Sequence, residues 1–168
     1  MTYKIAGATA LLLASFAAFP VMAQSQSDGV TVVLGEELDL VDPCMTSRSN
    51  IGRVIQQNVA ETITENFPGE GLKPRLATEW EDMGEGRWRF SLRDDVRFHD
   101  GSDMTAEDVA HSIQRAIGGG IVCEIGAKFF GGMEITTEVV DDYTLDVTTV
   151  PAQPILPLEM FRVRDFSA

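Results

Sequence analysis

RWRFSLRDDVRFHDGSDMTAEDVAHSI, residues 87–113, decides how the rest of the chain is read. It carries four arginines, five aspartates, one glutamate and two histidines. That charge density fits either a cluster of catalytic or metal-binding groups, or a strand pair and a helix with wet outer faces. The apolar pattern separates the two. Trp88, Phe90 and Leu92 alternate with Arg87, Arg89, Ser91 and Arg93, the period of a strand with one buried face. Asp94-Asp95 marks a turn, and Val96 and Phe98 alternate with Arg97 and His99 on an expected return strand. Asp100-Gly101 marks a second turn. Thr105 predicts a helix cap, with Asp108 three residues on as a weak capping box. Ala106, Val109, Ala110, Ile113, Ala116 and Ile117 form the helix's apolar stripe. His111 lies about 200° from Val109, on the wet side. Gly118-Gly119-Gly120 ends the helix.

Working outward, Val30 to Leu34 (VTVVL) reads as a short buried strand. GEELDLVDP, residues 35–43, is turn-rich, and Asp42-Pro43 stops regular structure. Ser49 or Asn50 can cap a helix from Ile51 to about Glu65, with Ile51, Val54, Ile55, Val59 and Ile63 on its apolar face. Asn66-Phe67-Pro68-Gly69 ends it. PRLATEW, residues 74–80, reads as a connector whose Leu76 and Trp80 pack inward. IVCEIGAKFFGGME, residues 121–134, suits a short helix or a loop. Ile135–Val140 and Tyr143–Val150 flank Asp141-Asp142 as a β-hairpin. PAQPILPLEMF, residues 151–161, has three prolines and cannot be a central strand. No internal repeat is visible.

The chain has 168 residues, with 44% hydrophobic and 23% charged content, which suits a globular protein. Its formal net charge is −13. An acidic surface repels phosphate backbones, so nucleic acid is not an expected partner. The N-terminus, MTYKIAGATALLLASFAAFPVMAQ, has Lys4 before an apolar core and small residues around Val21-Met22-Ala23. It reads as a secretory signal over residues 1–23, cleaved after Ala23. Pro20 breaks the apolar run, which is short for a membrane span, so the processed chain is expected not to insert in a membrane. Removing that segment leaves 12 basic and 26 acidic residues.

Cys44 and Cys123 can pair in an oxidising compartment or stand as separate buried thiols, and their spacing decides neither. A metal site built on His99, Asp100 and His111 needs a turn and the outer face of a helix to converge, so no metal or cofactor is expected. Asp94-Asp95 and Asp141-Asp142 read as turn residues rather than a hydrolytic acid pair. There is no G-x-S-x-G, and the glycine clusters at 118–120 and 131–132 lack the Lys-Ser/Thr of a phosphate loop. No enzyme chemistry is predicted.

The block PRLATEWEDMGEGRWRFSLRDDVRFHDGSDMTAEDVAHSIQRA resembles the signature of the family 5 extracellular solute-binding proteins, the peptide- and nickel-type binding proteins of ABC importers. Its elements come in order: Pro74, Leu76-Ala77, Trp80, Trp88, Phe90, Leu92-Arg93, Val96, Phe98-His99-Asp100-Gly101, Thr105-Ala106 and Asp108-Val109. VTVVLGEELDLVDP resembles the family's first strand and Leu-Asp-Pro turn, although Val41 separates Leu40 from Asp42. VVDDYTLDVTT resembles its Asp-x-x-Thr hairpin.

The resemblance implies an α/β fold, α+β within this chain, that is part of a periplasmic binding protein-like pair of lobes closing over a ligand. Residues 24–66 would start lobe one, and residues 67–168 would form most of a domain inserted in that lobe. Family members are much longer, so the chain is expected to be an N-terminal part, with VTVVL exposing apolar surface and inviting aggregation. Its implied role is periplasmic capture of peptides or similar solutes for an ABC permease. The segment after the Leu-Asp-Pro turn runs beside the solute in peptide-binding relatives, which points to Met45, Thr46, Ser47 and Arg48 as substrate-binding residues. Extended backbone there can pair with peptide backbone, the hydroxyls add contacts, and Arg48 can meet a carboxylate. A standalone interaction or structural domain, or a truncated product without function, is the alternative.

Overall fold

The computed structural model describes residues 29, 31, 33, 35, 37, 42–44, 50–117 and 123–163. The chain divides into two units, Met1–Val33 and Leu34–Ala168, and the second holds every element named below. In chain order these are α1 (Asn50–Asn58), β1 (Thr64–Phe67), β2 (Gly71–Pro74), β3 (Ala77–Gly84), β4 (Arg87–Leu92), α2 (Ala106–Ile117), α3 (Glu124–Phe129), β5 (Glu134–Asp141), β6 (Thr144–Val150), α4 (Leu156–Glu159) and a 3-10 turn, Met160–Arg162. β1 and β2 form a small hairpin, and the other strands form an antiparallel sheet in the order β3-β4-β6-β5. Among the described residues, no helix is long and apolar enough to cross a membrane.

The sheet's inner face follows from alternation. On β4, Phe90 and Leu92 are buried and Trp88 is half-buried, and on β6, Leu145 and Val147 are buried. The register sets Phe90 opposite Leu145 and Trp88 opposite Val147. Cross-strand pairs of aromatic and aliphatic side chains are what an antiparallel sheet uses to bury one face. α2 contributes Ala106, Val109, Ile113 and Ala116 to the same cluster, and Phe130, Leu156, Met160 and Val163 complete it. The start of α2 is fixed by its box: the Thr105 amide and hydroxyl both donate to Asp108 Oδ2, at 2.8 and 2.7 Å. The Ala106 N–H also donates to Asp142 O of the β5–β6 turn at 2.8 Å. His111 is exposed, as its place on the helix requires.

The outer face carries one row of charge, with Glu81 opposite Arg89, Arg89 opposite Asp146, and Asp146 opposite Glu138. Arg89 donates from Nε and Nη2 to the two oxygens of Asp146, at 2.7 and 2.9 Å. That fork covers Asp146, which is only 2% exposed. The hydrogen bonds to Arg89 hold the Asp146 carboxyl below the usual carboxylate range against the opposing effect of its burial.

Several expectations are corrected. The helix expected over 51–65 stops at Asn58. The β-branched run Thr62-Ile63-Thr64 instead leads into β1, with Ile63 O accepting from the Ala77 N–H at 2.8 Å. Val54 and Val59 of its supposed apolar face are 40% and 36% exposed. Residues 96–99 are not a return strand: β4 pairs with β3 and β6. Residues 96–104 fold into a loop closed by Phe98 N–H to Ser102 O at 2.9 Å and Met104 N–H to Val96 O at 3.0 Å, with an Arg97–Asp103 bridge.

PRLATEW is no connector, since its end opens β3. Register shifts at Ala77/Glu79 and Asp82/Gly84 break the period-two signal there. The β3–β4 turn is Gly84-Glu85-Gly86, all three at positive φ. A Cβ on Gly86 would lie 2.6 Å from Thr149 O, so the turn needs glycine for close approach as well as for its dihedral. Of VTVVL, Thr31 and Val33 lie outside any strand, and Val33 is 89% exposed. The rest of that run, and Gly118-Gly119-Gly120, lie outside the described residues.

Truncating Phe90, which is wholly buried, removes the centre of the inner face. Phe90→Ala is expected to cost about 3–5 kcal/mol in urea unfolding, and a loss under about 1 kcal/mol would place that side chain outside the core. Asp146 supplies a pH-dependent test. Its folded-state pKa is depressed, so the unfolded chain binds the proton more readily. The pair's stabilisation is therefore complete above the ordinary carboxylate range and falls as the pH drops below about 4. The Tm deficit of Asp146→Asn relative to the parent should be largest near neutral pH and should shrink by pH 3. A deficit unchanged over that range would contradict this reading of the pair.

Candidate functional site

Met45, Thr46, Ser47 and Arg48 lie outside the described residues, but both flanks of the segment are described. On the N-terminal side, Asp42 Oδ1 accepts from the Cys44 N–H at 2.8 Å, an Asx-type turn that fits the Asp-Pro sequence. Asp42 Oδ2 is ion-paired with Arg115 Nη2, from the last turn of α2. Pro43 O accepts from Gln56 Nε2 of α1 at 2.8 Å. Cys44 is joined by a disulfide to Cys123, the residue that precedes α3, with their Cα atoms 4.8 Å apart. On the C-terminal side α1 begins at Asn50. The turn that feeds the candidate segment is thus tied to α1, to α2 and to the start of α3. A ligand-contacting segment needs this kind of support, because contact geometry is only as firm as the elements that carry it.

Two alternatives for the cysteines were open in the sequence, and the structure selects pairing. The bond closes a sequence separation of 79 residues, and bonds of this kind typically contribute about 2–4 kcal/mol by restricting the unfolded chain. Sequence reasoning did not find Arg115 or Gln56 as anchors. Arg115 sits 73 residues from Asp42, and no local pattern links a cation in the last helical turn to a distant Asp-Pro turn. Gln56 lies on α1 with no signal beyond an ordinary polar helix position.

The charged stretch 87–113 is occupied by local structure. Asp100 accepts from the Ser102 N–H at 2.8 Å and the Ser102 hydroxyl at 2.7 Å. Those bonds, the amide first, hold its carboxyl below the usual range. Asp95 is held down likewise by the Arg93 guanidinium, which donates at 2.8 and 3.1 Å. A general acid at neutral pH needs the opposite shift. His99 is exposed in the 96–104 loop, and His111 is exposed on α2. A cleft of about 80 Å³ lies against this loop, lined by Val59, Glu61, Leu76, Val96, Arg97, Phe98, His99 and Met104. It holds a few waters at most, whereas small-molecule sites run to about 300–1,000 Å³.

The Asp42–Arg115 tie is testable by a double-mutant cycle with Asp42→Asn and Arg115→Gln. The two groups are partly buried, with side-chain exposures of 13% and 29%. A coupling of about 1 kcal/mol in thermal or urea unfolding is expected, and additive single effects would show that the pair does not anchor the turn.

Comparison with known proteins bears on the same regions. The profile of bacterial extracellular solute-binding proteins, family 5 Middle, matches residues 71–167. The periplasmic oligopeptide-binding protein OppA of Escherichia coli is 27% identical over 132 residues, which cover 68% of this chain and 24% of the relative. The crystal structure of an ABC transporter substrate-binding protein from Sinorhizobium meliloti aligns with a TM-score of 0.58 at 26% identity, over 67% of this chain and 24% of that one. The murein tripeptide binding protein MppA of Escherichia coli aligns with a TM-score of 0.62 at 22% identity, over 75% of this chain and 28% of that one, a likeness of fold. Against the curated relatives it matches, the chain spans between 12% and 24% of their length. The mixed α/β sheet-and-helix body and the matched profile together show that the chain belongs to the bacterial extracellular solute-binding proteins, family 5.

Proposed function

We propose that the chain is part of the periplasmic solute-binding component of an ABC importer, capturing peptides or similar small solutes and passing them to a membrane permease. The chemistry is non-covalent, and no bond is made or broken. The observation that carries this reading is the family match over residues 71–167, and the anchored turn at Asp42–Cys44 fits it. In this reading residues 1–23 direct export, residues 24–66 begin lobe one and residues 67–168 belong to the inserted domain. Met45, Thr46, Ser47 and Arg48 then run beside the solute. Their backbone pairs with peptide backbone whatever its side chains, and Arg48 meets a carboxylate. One short segment supplies a small part of a peptide's contacts, so the expected affinity is weak. No cofactor is required.

The test is a titration of the chain with a mixture of tetrapeptides, followed by amide chemical shifts. Shifts are expected to concentrate at residues 45–48. Peptides with a free C-terminal carboxylate should bind about tenfold tighter than their amidated counterparts, equivalent to ~1.4 kcal/mol, and Arg48→Ala should abolish that difference. A folded sample that shows no peptide-dependent shift anywhere would overturn the proposal.

A further inference from the structure

Residues 42–44 and α1 (Asn50–Asn58), joined by the Gln56–Pro43 hydrogen bond, form an arm whose attachment is lopsided. The body beneath it is held by wholly buried side chains, among them Phe90, Val109, Ile113, Leu145, Val147 and Leu156. The arm contributes far less. Pro43, Cys44, Ile51 and Gly52 are buried, while Asn50, Arg53, Val54, Gln57 and Asn58 are exposed. At its C-terminal end the arm runs directly into the body, where Ala60 and Ile63 are buried and Thr62 O accepts from the Leu76 N–H at 3.3 Å. At its N-terminal end the Asp42–Arg115 pair and the Cys44–Cys123 bond cross to α2 and the start of α3. The hydrogen bond from Gln56 to Pro43 lies within the arm. α1 has nine residues, and an isolated helix shorter than about 12–15 residues is marginal in water.

We infer that the Cys44–Cys123 bond is a redox latch: under oxidising conditions it fastens residues 42–44 and α1 to the body, and under reducing conditions they come loose while the sheet stays folded. The reaction is a thiol–disulfide exchange with a dithiol. One dithiol thiolate attacks a cysteine sulfur and breaks the S–S bond, leaving a mixed disulfide. The second dithiol sulfur then displaces the remaining cysteine. Two cysteine thiols form, and the reductant leaves as a cyclic disulfide, having given up two electrons and two protons. Both cysteines are buried, at 2% and 4% exposure, so attack waits on local opening of the arm. Once the bond is broken, the arm keeps its covalent join to the body through residues 59–60, and the effective concentration of residue 44 at the start of α3 falls. The chain would therefore complete its fold in an oxidising compartment and keep a loose N-terminal arm in a reducing one. The latch rests on contacts within this chain and stands whether or not the chain binds peptide.

The experiment is amide hydrogen exchange on the chain in three forms: oxidised, reduced with dithiothreitol, and the Cys44→Ala/Cys123→Ala variant without reductant. Amides of residues 51–58 are expected to lose at least ~10-fold in protection in the reduced form and in the variant. Amides of 87–92 and 144–150 should change by less than ~3-fold. Unchanged protection of residues 51–58 in both would overturn the latch. Equal loss in the arm and the sheet would overturn it too, making the bond a staple of the whole fold. The peptide titration reads a different quantity, so the failure of one proposal is distinguishable from the failure of the other.

Discussion

The inner face of the β3-β4-β6-β5 sheet must be kept from water, and the rest of the described structure follows from how that is done. Phe90 faces Leu145 across the β4–β6 ladder, and both are wholly buried. Burying side chains of this size supplies roughly 1.5–3 kcal/mol each, and the cover comes from α2 together with the 156–163 segment. Because the sheet is covered on one face, its other face is free to carry charge. Arg89 and Asp146 face each other there, flanked by Glu81 and Glu138. The arginines and aspartates of residues 87–113 are the wet side of this arrangement and the turns that join it.

Elements whose pattern survived folding were legible in the sequence. β4, α2 and the β5–β6 hairpin sit where periods of two or 3.6 in the sequence put them, and the Thr105/Asp108 box is in place. The failures have physical causes. β3 is an acid-rich edge strand with two register shifts, so its alternation does not show in the sequence. Val96 to His99 alternates as a strand does, but both edges of β4 are taken by β3 and β6, and residues 96–104 close on themselves instead. Apolar spacing carries an expected helix through Val59 and Ile63 to about residue 65, but it ignores the preference of β-branched residues for strands. Asp146 looked like a solvated position, and only the cross-strand neighbour Arg89 explains its burial.

The candidate site divides in the same way. Its location, just after the Asp42-Pro43 turn, came from resemblance to a family. Its supports, Arg115, Gln56 and Cys123, come from residues distant in sequence and needed coordinates. The chain matches the family over 71–167, while the segment proposed to meet the solute lies before that span in the sequence. The signature aromatics Trp80, Trp88 and Phe90 belong to the sheet and its core.

The central claim is the strand topology that gives this wet-and-dry division. It is tested most directly by a NOESY spectrum of the folded chain, read for backbone contacts between facing strands. Cross-strand contacts are predicted between β4 and β6 in the register that sets Phe90 opposite Leu145 and Arg89 opposite Asp146. Contacts pairing residues 87–92 with 96–99 instead would contradict the account, because the inner face and the charged face would then be differently composed.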